Sequence, residues 1–302
     1  MNNRDTGSDG WSIPSRVFDE LGSVGVCPCG IVSRTEKSVV LAGWCEEARV
    51  AVKVLREGVD DFWITAWQRE IGVNQVFTAP GAVVPVTVPR LRHTDHARVM
   101  VFDWVAGRCL DQARYPRGRL TDREIETILS VISAITRWQP PRAVGVGPVG
   151  DYWDRVARYH RLGLLTDEDH AALQVLLPAA GPVDQFNHGD LLATNVMMAE
   201  SAATVIDWEF AGYFLPGYDL AVAYILFGAA TPAIRDRIDA IVTAGAIEIG
   251  FAVNLIVIAV REVRMHRDLP GEPAVRNHAL TVLGPVLEQA RRRLQALARD
   301  RR

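Results

Sequence analysis

Phe186-Asn-His188-Gly-Asp190-Leu-Leu-Ala-Thr-Asn195-Val-Met-Met198, followed by Val205-Ile-Asp207-Trp-Glu209, is the stretch on which the reading of this chain turns. An aspartate and an asparagine five positions later share one loop, and a second aspartate follows a short apolar run. The β-branched and apolar pieces at 195–198 and 204–206 predict two short strands around that loop. Oxygen donors in this order suit the transfer of a phosphoryl group. One carboxylate must orient an attacking hydroxyl and accept its proton, while an amide oxygen and a second carboxylate must hold magnesium on the β- and γ-phosphates. Asp190 fits the first role, and Asn195 with Asp207 fits the second. The protein's share of such chemistry is positioning and electrostatics. His188 reads as a residue that packs and caps the loop, because this chemistry needs no second base.

Upstream of the motif the pattern changes twice. From Val24 to Leu55, β-branched residues recur in short runs broken by glycine and charge, which predicts adjacent antiparallel strands. Asp60 and Asp61 then open a helical pattern through Phe62, Trp63, Ala66, Trp67, Ile71 and Val73. Two further strands are expected around 83–91 and 98–105. After Ala106-Gly107 the chain becomes helical: Thr121-Asp-Arg-Glu124 is a capping box before Ile125, Ile128, Leu129, Ile132 and Ile135, and Thr166-x-x-Asp169 repeats the pattern in weaker form. From Asp219 onward everything reads as helix, with breaks at Thr231-Pro232 and Leu269-Pro270-Gly271. Residues 1–12 are polar and expected to be disordered. The expected architecture is α+β: a small β-rich lobe with one helix over residues 1–105, and a larger, mainly helical lobe over 106–302.

Composition narrows the classes. The 302 residues carry 33 basic and 36 acidic side chains, a formal charge of −3, which gives no footprint for nucleic acid. With 49% hydrophobic residues the chain can fill a sizeable core. Four cysteines do not make a disulfide scaffold at this length, and Cys27-Pro-Cys29 lacks the second pair that a zinc site needs. The N-terminus has no apolar signal core. The apolar run 241–260 is interrupted by Glu248 and Asn254 and is expected to be a buried helix, not a membrane span. A cytoplasmic protein with no membrane, nucleic-acid or obligate protein partner is expected.

The basic residues are 31 arginines and only two lysines, Lys37 and Lys53. Where arginine would serve, this chain uses arginine, so a lysine ending the apolar strand Arg49-Val-Ala-Val-Lys53 stands out.

His-Gly-Asp-x-x-x-x-Asn followed by Ile-Asp-Trp-Glu resembles the aminoglycoside phosphotransferase and choline kinase family, relatives of the protein kinases. The resemblance implies a two-lobed protein-kinase-like fold, ATP (or GTP) with Mg2+, and a small-molecule hydroxyl as acceptor. It implies that Lys53 pairs the α- and β-phosphates and that Glu70, on the following helix, orients the lysine. Arg98-Val-Met-Val-Phe102-Asp103-Trp-Val105 resembles the hinge strand, whose backbone near Asp103 to Val105 would meet the adenine edge with Phe102 lining the pocket. Pro216-Gly-Tyr-Asp219 resembles the family's helix start, with Asp219 as a cap or loop anchor. The glycine-rich phosphate loop of protein kinases is absent, which leaves Ser33 and Thr35 in a short turn as candidates for phosphate contacts. Gly189 stands where protein kinases have arginine, so no activation segment is expected to dock there.

In the resembled family the acceptor site is built by C-terminal helices, here 219–302. Asp236, Asp239, Glu262 and Asp268 are the carboxylates that a cationic acceptor would meet, yet ten arginines against five acids follow from residue 261. The expected function is phosphorylation of an antibiotic of aminoglycoside, nucleoside or macrolide type, conferring resistance by inactivation. A small-metabolite kinase, of choline or homoserine type, is the alternative. A catalytically silent nucleotide-binding protein is the remote alternative, since such a protein would not need Lys53, Glu70, Asp190, Asn195 and Asp207 together.

Overall fold

A computed structural model describes residues 12–141, 147–199, 203–268 and 273–301. The polar N-terminal segment lies outside them apart from Ser12, as does the expected break at 269–271. The chain divides into two compact units, one drawing on residues 12–84 and 88–106, the other on 85–87 and 107 onward.

The first unit is built on a five-stranded antiparallel sheet. Its elements are α1 (Ser15–Ser23), β1 (Val26–Arg34), β2 (Ser38–Cys45), β3 (Ala48–Leu55), α2 (Asp61–Thr78), β4 (Leu91–Thr94) and β5 (Val99–Asp103), with strand order β1-β2-β3-β5-β4. Strand side chains alternate between faces. Val50, Val52 and Val54 therefore join Val39, Leu41, Val99 and Val101 in a core under α1, which contributes Val17 and Leu21. The opposite face carries Leu55, Met100 and Phe102 against Trp67 and Ile71 of α2. Helix α2 starts where expected, because the Asp60 side chain accepts from the Trp63 N–H. The sequence missed α1. It also overextended the fourth strand: Pro85 and Pro89 deny the 83–90 segment the N–H groups a ladder requires, and β4 begins only at Leu91.

The second unit contains β6 (Arg108–Cys109), α3 (Asp122–Arg137), α4 (Tyr152–Arg161), α5 (Asp167–Leu176), β7 (Gln185–Asn187), β8 (Val196–Met198), β9 (Ala203–Val205), β10 (Gly212–Phe214), α6 (Tyr218–Leu226), α7 (Pro232–Ala244), α8 (Glu248–Asp268) and α9 (Pro273–Arg299). Both expected capping boxes form, at Thr121–Glu124 and Thr166–Asp169. The apolar run 241–260 is neither one helix nor buried throughout: Ile241 and residues 243–246 are exposed, and continuous burial begins at Gly250. It breaks at Gly245-Ala246, where Ala246 takes φ 50°, and continues as α8. Residues 251–260 are buried without exception, and Asn254 among them is satisfied by the Tyr152 hydroxyl and the Leu215 and Pro216 carbonyls. Among the described residues no helix is long and apolar enough to cross a membrane.

Short ladders position the motif. β7 pairs with β10, and β8 lies between β6 and β9. The loop 188–195 thus leaves one ladder and enters the next, and the loop 206–211 returns between the same two.

Candidate active site

In the first unit, the alternation that sends Val52 and Val54 under α1 turns Lys53 towards α2. Glu70 lies three residues after Trp67 on the buried face of that helix, and Lys53 Nζ donates to its Oε2 at 2.6 Å. Both side chains are nearly inaccessible. An ammonium buried here without its carboxylate would cost several kcal/mol, roughly 3–5, so this pair is specified by the strand and the helix together. Phe102 is buried on the same face of the sheet. The segment after β5 is less open than expected: the Asp103 N–H donates to Arg90 O at 3.0 Å, its carboxylate pairs with Arg92, and the Trp104 N–H donates to Arg49 O. Val105, which lies past the ladder, keeps an N–H and a carbonyl with no backbone hydrogen bond among the described residues. Thr35 also differs from expectation. Its hydroxyl accepts from the Ser38 N–H at 3.0 Å and closes the β1–β2 turn, while Ser33 is exposed on β1.

In the second unit, Asp190 is held through its own backbone and not through its carboxylate. Its carbonyl accepts from the Leu192 N–H at 2.8 Å and from Asn195 Nδ2 at 3.0 Å. Its N–H donates to His188 Nδ1 at 3.3 Å. Since Nδ1 accepts, the proton of that imidazole sits on Nε2, which donates to Ile206 O at 3.0 Å. The ring packs against Trp208, so His188 braces the two loops, as the sequence reading has it. Asp219, fully buried at the start of α6, accepts from the N–H groups of His188 (2.7 Å) and Gly189 (3.0 Å). Burial pushes its carboxyl up from the usual range, against the pull of His188 and those two amides. Asn187 completes this anchor by accepting from the Asp219 N–H. No local sequence signal marks Asn187, because its partner lies 32 residues away.

Gly189 takes φ +85°, and a Cβ there would lie 2.1 Å from Phe210 O. Asp207 takes the left-handed φ of 66°, a conformation that aspartate tolerates better than most residues. The β8–β9 register sets Val196 opposite Val205, and the Ile206 N–H donates to Asn195 O at 3.0 Å. Asn195 and Asp207 therefore stand at one end of the same hairpin. The Asn195 amide nitrogen is committed to the loop; its Oδ1 meets the Thr194 hydroxyl at 3.3 Å. An amide oxygen and a carboxylate at the end of one hairpin form a hard donor set that fits magnesium.

The four acids expected to meet a cationic acceptor do not form such a site. Glu262 on α8 is completely buried and saturated. Its Oε2 accepts from Arg114 Nε and the Tyr115 hydroxyl, both at 2.8 Å, and its Oε1 from Arg114 Nη2 (2.9 Å) and Arg261 Nη2 (3.0 Å). Burial opposes its charge, but Arg114 and Arg261 outweigh it and hold the carboxyl far below the usual range. Asp239 pairs with Arg293, Asp268 with Arg264, and Asp236 is exposed on α7. The sequence reading missed Arg114: one arginine among 31, in a loop 148 residues from its partner, carries no signal.

A family model described as the phosphotransferase enzyme family matches residues 39–245. Among solved structures, the chain is similar to a thermostable mutant of aminoglycoside phosphotransferase APH(4)-Ia in ternary complex with ADP and hygromycin B (15% identity, 95% of this chain and 98% of that one, TM-score 0.57). It is similar as well to the GDP complex of wild-type aminoglycoside 2'-phosphotransferase-IIIa (13%, 91% and 97%, 0.58) and to a microcompartment-associated aminopropanol kinase (15%, 94% and 98%, 0.58). No curated protein sequence matches the chain. At these identities the structural likeness shows the shared two-lobed, protein-kinase-like α+β fold. The family model covers about two thirds of the chain, and with it this chain belongs to the phosphotransferase enzyme family.

Proposed function

We propose that the chain transfers the γ-phosphoryl group of ATP or GTP to a hydroxyl of a small molecule, with Asp190 accepting the hydroxyl proton. The observation that carries this reading is the way Asp190 is held. Its backbone is fixed on three sides, while its carboxylate stays 16% exposed and makes no hydrogen bond among the described residues. The acceptor oxygen forms a bond to the γ-phosphorus as the bond to the bridging oxygen breaks. The electron pair of that bond leaves on the nucleoside diphosphate, and the proton passes to Asp190. Lys53, steered by Glu70, would bind the α- and β-phosphates; Ser33 and the turn it precedes would lie along them, and Phe102 and Val105 would receive the base. Asn195 and Asp207 would hold magnesium, which when bound neutralises charge on the phosphate oxygens.

Two consequences can be measured. Asp207→Ala is expected to weaken magnesium-dependent nucleotide binding by roughly 10–100-fold, read by calorimetry with and without the metal. Equal affinity in both conditions would remove Asp207 from the metal site. Lys53→Arg is expected to lower kcat/KM for the nucleotide by roughly 10–100-fold, because a planar fork cannot replace a compact ammonium on Glu70. Normal kinetics would mean that the strand has another role.

An antibiotic of aminoglycoside, nucleoside or macrolide type is the first acceptor reading, with inactivation of the drug as the outcome; its support is likeness to an aminoglycoside phosphotransferase solved with hygromycin B. A polycationic aminoglycoside fits poorly, since Glu262, Asp239 and Asp268 are already paired. A metabolite kinase is the second reading, favoured by Arg114 and Arg261, whose Nη2 atoms lie 3.6 and 3.7 Å from Asp190 Oδ1. ADP release from ATP and magnesium across a panel of antibiotics and metabolites decides between them. Turnover of a polycation above all others would sink the exclusion drawn here.

A further inference from the structure

Two guanidinium groups converge beside Asp190 that the reaction itself does not require. Arg114 Nη2 lies 3.6 Å from Asp190 Oδ1, and Arg261 Nη2 lies 3.7 Å from the same oxygen. Both side chains are about a quarter exposed, at 26% and 28%, whereas Glu262 beneath them is at 0%. Glu262 clamps both arginines from the buried side, and Arg261 Nη1 donates to the Tyr218 hydroxyl. Their positions are thus fixed before any ligand arrives. Their donors are not exhausted: Arg114 Nη1 makes no hydrogen bond among the described residues, and neither arginine is within hydrogen-bond distance of Asp190.

Charge balance gives the arrangement a direction. Before reaction the two guanidinium charges face two carboxylates, Glu262 and Asp190. When Asp190 takes up the acceptor proton its charge is lost, and one positive charge is left uncompensated. An anionic group on the acceptor would balance it, and an ammonium group would add to the excess.

We propose that Arg114 and Arg261 form an anion subsite for the acceptor, so that the substrate is a small hydroxy acid bearing a carboxylate or phosphate near its reacting hydroxyl. The inference rests on Asp190 being the residue that receives the hydroxyl proton. With the guanidinium nitrogens this close to Asp190, a carboxylate in hydrogen-bond contact with them sits about two to four bonds from the hydroxyl.

The test compares acceptors of one carbon skeleton in three forms, as the short hydroxy acid, its amide and the corresponding amino alcohol, by ADP release from ATP and magnesium. Phosphate esters of the same diols separate the two anion types. The acid or the phosphate ester is expected to exceed the amide in kcat/KM by about tenfold or more, with the amino alcohol slowest. In Arg261→Gln the acid-to-amide ratio should collapse towards one, through KM. Arg114→Gln alone leaves buried Glu262 under-partnered, at a cost in stability, so the double variant Arg114→Gln/Glu262→Gln removes charge and counter-charge together and reads the same ratio. Preference for amino alcohols or polycations would overturn the proposal. So would an equal loss on acid, amide and acceptor-free ATP hydrolysis in Arg261→Gln, which would assign the arginines to the transferring phosphoryl group. Turnover of none of these acceptors, by a protein that still binds and slowly hydrolyses magnesium-nucleotide, would likewise overturn it while leaving the phosphotransferase reading intact. Absence of magnesium-dependent nucleotide binding altogether would overturn both.

Discussion

Asp190→Ala is expected to lower kcat by about 10²–10⁴-fold, the range that a positioned proton acceptor supplies, and to leave nucleotide affinity unchanged. The contacts that shape the loop are made by the Asp190 backbone, and alanine keeps them. Arg114 and Arg261 lose one carboxylate neighbour but keep Glu262, so the unbalanced positive charge rests on two partly exposed side chains that stay anchored. The variant also gains one positive charge at the subsite. If the acceptor is anionic, its KM should fall even as turnover disappears, a combination that a damaged fold would not produce. Calorimetry for the nucleotide and ADP release for turnover make the measurement. Retained activity would remove Asp190 from the chemistry, and lost nucleotide binding would make it an architectural residue.

Gly189→Ala is the second large effect. The added Cβ meets Phe210 O at 2.1 Å and Phe210 C at 2.8 Å, and the backbone is already in the left-handed region. Neither partner can retreat cheaply. Gly189 is tied to Asp219 through its N–H, and Phe210 sits in a tight turn of the facing loop, where the Ala211 N–H donates to Trp208 O. Backbone strain and overpacking together should cost about 3 kcal/mol or more, a fall in Tm of roughly 5 °C or more for a chain of this size. Activity should fall as well, because the next residue is Asp190. A variant with unaltered melting and turnover would show that the two loops separate more freely than their hydrogen bonds suggest. The same clash explains why protein-kinase arginine is replaced by glycine here: the position is filled by a neighbouring carbonyl.

The motif residues were legible because their arrangement is local. Asp190 and Asn195 share one loop, Asp207 follows one strand, and strand alternation with helical spacing brings Lys53 to Glu70. What the sequence concealed depends on partners far along the chain. Asp219 reads as a cap or a loop anchor, and it is the structure that shows which loop its carboxylate holds, by two amides 31 and 30 residues away. Glu262 reads as a candidate contact for a cation until Arg114 is found across it. At 83–90 the β-branched pattern was present, and prolines overrode it. At 245–246 an ordinary glycine and an alanine broke a run in which only Glu248 and Asn254 had marked an interruption.

The reach of those pairings bears on how the protein is made. During synthesis, every residue of the signature stretch has left the ribosome well before α8 emerges. Until then Asp190 lacks Arg261, and Arg114 lacks the carboxylate that fixes it. A nascent or shortened chain ending before α8 would carry the whole signature and Arg114, but neither Arg261 nor the Glu262 carboxylate that fixes Arg114 beside Asp190. The loop 188–195 can be shaped early by Asp219, but the neighbourhood that would select a substrate is assembled late.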